Sequence, residues 1–161
     1  VKKKLLFVGP VLTGSGYGVH SRQLLKALYD CGDFDIAVES LRWGETPFLQ
    51  EEGLDWIRKL TERKHGQPDI CIQVTIPNEF KRRAALMIGV TAGIEVDRVT
   101  PEWLIACNKE VDLVIVPSEH SRRSFIVEYS APNGDKLHLE KPIFVVPEGV
   151  DTNVFRPFES T

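Results

Sequence analysis

Six short apolar runs recur along the chain, and helix-like or polar stretches separate them. The runs are KLLFVG (4–9), FDIAVESL (34–41), PDICIQVT (68–75), ALMIGVTAG (85–93), DLVIVP (112–117) and PIFVVP (142–147). Runs of this length, bounded by Gly, Pro or polar residues, suit strands buried on both faces, as in parallel sheets. The second run alternates and reads as a further strand. Segment 18–32 is helix-like: Leu24, Ala27, Leu28 and Cys31 share one face, and Gly32 is a stop signal. Segment 54–66 places Leu54, Ile57 and Leu60 along one helical face. Thr100 precedes Pro101 as a cap for EWLIACNKE, and Ser118 caps a helix over 119–130. Segments 42–53 and 129–141 read as loops.

Strand and helix in alternation predict an α/β, Rossmann-like fold: a largely parallel sheet of six or seven strands, with helices on both faces. Its expected extent is 1–147, with 148–161 leading out of the domain.

The 161 residues suffice for one domain with a proper core. A net charge of −3 gives no general drive toward nucleic acid, and none is expected as a partner. The basic start VKKK reads as a solvated strand entrance rather than a phosphate or lipid contact. No apolar run has the length of a membrane span, and LLFVGPVL is broken by Gly9 and Pro10. Cys31, Cys71 and Cys107 form no C-x-x-C pair. They read as buried free thiols in a reducing cytoplasm, with no metal site and no disulfide framework. His65, His120 and His138 read as surface residues.

The chemistry-bearing stretches follow strands. GPVLTGSGYGVHS lies between the first strand and the first helix, at the sheet edge where open α/β folds bind ligands. Gly14, Gly16 and Gly18 let the backbone approach a ligand, and the helix start offers N–H groups to an anion. Val19 breaks the dinucleotide fingerprint, and the loop lacks the Lys of a nucleotide-binding P-loop, so no cofactor is expected. The loop alone suits anion or sugar contact as well as a plain connector. His20 shares a face with Leu24, Ala27 and Cys31, which favours packing over catalysis. Glu95 and Asp97 in VTAGIEVDRVTPEW could orient hydroxyls or accept a proton, or form an ion pair with Arg98. In VPSEHSRRSF, Ser118 reads as a cap and Arg122 as solvated. No nucleophile elbow is present.

Three stretches together resemble the N-terminal half of a GT-B glycosyltransferase of family 4, the "group 1" retaining enzymes. They are TGSGYGVHSRQLLKAL, GIEVDRVTPEWLIACNKEVDLVIVPSEHSRRSF and VVPEGVDTNVFRP. The resemblance spans most of the chain. It implies transfer of a sugar from a nucleotide-sugar donor to a hydroxyl acceptor. It also implies a second α/β domain beyond 148–161 that holds most donor contacts. The chain alone is then expected to be inactive, and to self-associate through an exposed interdomain face. Carried over, Glu95 is the catalytic candidate in the cleft; Gly14, Gly16, Gly18, His20, Ser118 and Arg122 face the donor diphosphate or the acceptor. The family's His after the fourth strand is absent, and Glu148 stands where Asn or His is usual. The expected setting is cytoplasmic, or peripheral to a membrane in the intact enzyme. The alternative is a non-catalytic α/β module that binds a sugar, a phosphate or a partner chain. A nicotinamide-dependent oxidoreductase fails at Val19.

Overall fold

A computed structural model of the chain describes residues 1–157; 158–161, the end of the expected exit segment, lie outside the described residues. Eight strands and four α-helices follow in order: β1 (Lys3–Gly9), α1 (Gly16–Cys31), β2 (Phe34–Ser40), α2 (Asp55–Thr61), β3 (Ile70–Val74), β4 (Leu86–Val90), α3 (Pro101–Glu110), β5 (Leu113–Val116), α4 (Glu119–Phe125), β6 (Tyr129–Ser130), β7 (Lys136–Leu137) and β8 (Ile143–Val145). Single 3-10 turns precede α2 and β4, at Glu52–Leu54 and Pro77–Glu79.

Six strands form one parallel sheet in the order β2-β1-β3-β4-β5-β8. The expected α/β class is observed, with helices on both faces. Successive residues of a strand point to opposite faces. Leu5 and Phe7 accordingly join a core with Leu25 of α1 and Ile57 and Leu60 of α2. Val8 joins the other core, with Leu104 and Cys107 of α3 and Phe125 of α4. The strand order reverses about β1, which lies between β2 and β3. That is the topological switch point of an open sheet, where a crevice forms outside the carboxyl ends of the strands.

Several local expectations are corrected. The second helix stops at Thr61 rather than reaching 66. The fourth helix stops at Phe125 rather than 130. Its expected last turn instead enters an antiparallel hairpin, Tyr129 opposite Leu137, anchored by Tyr129 Oη donating to the Val99 carbonyl at 2.6 Å. The hairpin replaces the loop expected over 129–141, and Gly134 turns it with φ +90°. On α1 the buried residues are Gly18, Ser21 and Leu25, while Ala27 and Cys31 are exposed. Small residues on the inner face hide it from a hydrophobicity pattern. His65 is half-buried, with Nε2 2.8 Å from the Asp35 carbonyl, rather than a surface residue. Cys71 and Cys107 are buried as expected, and burial pushes both thiols up to about 12; Cys31 is exposed instead. No helix among the described residues is long and apolar enough to cross a membrane.

Candidate functional site

The carboxyl edge of the sheet gathers the glycine-rich turn, the loop after β4, the start of α4 and the segment leaving β8. The turn is held from within. Ser15 caps α1: its hydroxyl accepts the Gly18 N–H at 3.0 Å and its carbonyl takes the Val19 N–H at 2.9 Å. Arg22, one turn later, donates to the carbonyls of Val11 at 3.1 Å and Thr13 at 2.7 Å. Among the described residues, the backbone N–H groups of Gly16 and Tyr17 make no such bond, as expected for the first turn of a helix.

The three glycines differ. Gly14 and Gly16 are exposed, and a Cβ on Gly16 would meet no atom within 4 Å. Gly18 is buried, and a Cβ there would fall 2.3 Å from the Thr13 carbonyl oxygen. Gly18 is therefore a packing glycine that lets α1 close on its own loop, whereas Gly16 keeps open space before the helix start. Neither has a positive φ.

A chain of polar contacts fixes the rim beyond the turn. Tyr17 stacks on Trp43 with ring centroids 4.4 Å apart. Its Oη lies 3.0 Å from Thr91 Oγ1 and accepts the Ala92 N–H at 3.1 Å. Burial raises the Tyr17 phenol above its ordinary pKa, so it stays protonated at neutral pH. Ser121 Oγ donates to the Ala92 carbonyl at 2.8 Å. Gly93, at φ +86°, packs so close to Ser121 that a Cβ would lie 2.7 Å from the serine Cβ. Ser118 caps α4 by accepting the Ser121 N–H at 3.1 Å. Arg122 is occupied by Glu119, Nε to Oε2 at 2.8 Å. Ser118 is thus the cap that it reads as, while Arg122, read as solvated, pairs with Glu119 within α4 instead.

Glu95 is exposed in the bend after β4, as are Asp97 and Arg98. The anticipated loop ion pair is not formed: the ion pairs of the described residues lie elsewhere. Glu95 is free to meet a ligand but is not aimed by a neighbour. His20 of α1 faces the segment after β8, its Nδ1 3.0 Å from Glu148 Oε1. The carboxylate stands off the line of an N–H bond, so Nδ1 has no hydrogen-bond partner. Burial lowers the His20 pKa, and Glu148 partly opposes that shift.

The sequence reading missed Arg42, Lys81 and Arg83, which line a cleft of about 400 Å³ beside the switch point. The pair Arg83–Glu39 braces it. They come from separate segments, and Lys81–Arg83 reads in sequence as a solvated charge run. A larger cavity, about 610 Å³, opens at the opposite, amino edge by Lys4 and Phe34, away from every loop described above. Among the described residues no cluster of side chains suits a metal ion. No family model, no curated protein and no solved structure matches the chain.

Proposed function

We propose that the chain is the acceptor-side wall of a sugar-transfer cleft, completed in the intact cytoplasmic enzyme by a second α/β domain. The reading rests on the motif resemblance. The observation that supports it most is His20 meeting Glu148: the segment that would lead to a second domain leaves beside the open glycine-rich turn. A group lying over that turn would meet the free N–H groups of Gly16 and Tyr17, suited to a diphosphate leaving group. Glu95, unpaired on the same edge, would orient the acceptor hydroxyl. Donor and acceptor would then react between two walls that exclude water, and one wall alone would not suffice. The exposed Val150, Val154 and Phe155 of the exit segment are the surface through which the chain would meet the second domain or another copy of itself.

The test is a transfer assay with radiolabelled nucleotide-sugars on the protein encoded by the whole reading frame, beside its Gly16→Val variant. Incorporation of label into a hydroxyl acceptor, lost in the variant with the melting temperature unchanged, supports the reading. Absence of incorporation from every common donor rejects it. A non-catalytic binding module is the second reading, favoured by Glu95 being exposed with no ion-pair partner among the described residues to aim it.

A further inference from the structure

The cleft beside the switch point has its own chemistry. Buried Val8 of β1 and half-buried Leu41 after β2 supply an apolar lining. Arg42, Lys81 and Arg83 bring three cations to it, against one carboxylate, Glu79. Arg83 is engaged by Glu39 of β2. Arg42 and Lys81 have no carboxylate partner among the described residues. Three cations against Glu79 leave the lining with more positive than negative charge, which favours an anionic ligand.

The wall is also built rather than incidental. Gln73 of β3 is buried, and its amide donates to Thr75 Oγ1 at 3.2 Å and to the Glu79 carbonyl at 2.7 Å. Its oxygen accepts the Lys81 N–H at 3.1 Å. One fixed side chain thereby sets the backbone that carries Glu79 and Lys81. The volume lies within the range of small-ligand pockets, at about 300–1,000 Å³.

We propose that this cleft binds a phosphate-bearing small molecule of about monosaccharide size. A phosphomonoester carries nearly two negative charges at neutral pH, which matches the two unpaired cations better than a single carboxylate does. The apolar lining would take the carbon skeleton. The proposal goes beyond sugar transfer: it requires neither a donor nor a second domain, and it uses none of Gly16, His20 or Glu95.

Calorimetric titration of the chain with glucose 6-phosphate and with glucose tests it. Glucose 6-phosphate should bind, more weakly at high salt, and glucose should not. The double variant Arg42→Gln/Lys81→Gln should lose at least about tenfold in affinity, the scale of a charge-assisted hydrogen bond. Lys109→Gln, on α3, should bind as the parent does. Lys81→Gln alone keeps the test readable if the double variant melts early, because Gln73 holds the backbone of Lys81 rather than its side chain. No heat from glucose 6-phosphate, equal binding of glucose, or unchanged affinity in both Lys81 variants would overturn the proposal. A transfer-active protein without this binding would leave the transfer reading intact while removing the cleft.

Discussion

The first and last strands of the main sheet look alike as sequence, KLLFVG and PIFVVP, and live in different surroundings. In β1, Leu5, Phe7 and Val8 are completely buried between two neighbours and two helical layers. In β8, Phe144 is 52% exposed, and Val146 just beyond it is 47% exposed. Among the described residues, the last strand pairs only with β5, through Val114 to Val116. An apolar run therefore reports that a strand forms, while its position in the sheet decides what the side chains are worth. The same contrast divides the functional edge: the turn after β1 is tied on several sides, and the segment after β8 lies exposed.

Truncating the two aromatics should separate the strands most sharply. Phe7→Ala opens a cavity in a closed core and should cost about 3–5 kcal/mol. Phe144→Ala removes a half-exposed ring and should cost about 1 kcal/mol or less. Urea unfolding of both variants measures the gap. Equal losses would mean that β8 is as enclosed as β1, through a surface that Phe144 meets elsewhere.

Within the turn after β1, the next contrast is between two glycines. Gly18→Ala drives a Cβ against the Thr13 carbonyl and should destabilise by about 1–3 kcal/mol. Gly16→Ala enters open space at the first helical position with an ordinary φ, and should change stability by about 0.5 kcal/mol or less. Thermal melts compare them directly. If Gly16→Ala were the costlier, the turn would be held by Gly16 itself, and the ligand-facing reading of that residue would lose its basis.

How legible these features are in sequence follows from how local they are. All six strands of the main sheet are readable, because a buried parallel strand needs only an apolar run and a boundary. The caps Ser15 and Ser118 differ: Ser118 stands directly before a helical pattern, while Ser15 hides among glycines. The inner face of α1 is obscured because Gly18 and Ser21 pack there by being small, and hydrophobic periodicity detects size and greasiness together. The end of α4 escapes because SFIVEYS is apolar enough for helix or strand. The distant Val99 carbonyl, bonded by Tyr129, helps to hold the hairpin. The Asn133-Gly134 pair inside 129–141 is a local turn signal that marks that hairpin. The basic cleft is the least legible. Arg42 and Lys81 are 39 positions apart in numbering, and the strand order β2-β1-β3 brings their segments together.

The smallest effect expected lies where the two compared regions meet, at His20 and Glu148. Burial is the larger influence on His20 and favours the neutral imidazole; Glu148 favours the charged one, and burial wins. The folded-state pKa is thus below the ordinary histidine value of about 6.5. As pH falls through that value, the unfolded chain binds a proton that the folded chain resists, so stability drops with acidity and is fully retained above it. His20→Gln removes the titrating group and should flatten the decline in melting temperature between about pH 7.5 and about pH 5. Glu148→Gln should act in the opposite sense: without the carboxylate the folded pKa sinks further, and the decline steepens. The opposed signs make the pair of variants more decisive than either alone. If His20→Gln instead steepened the decline, the ionic attraction would outweigh burial and His20 would be charged in the fold. The exit segment would then be clamped to α1 at low pH, instead of resting beside it.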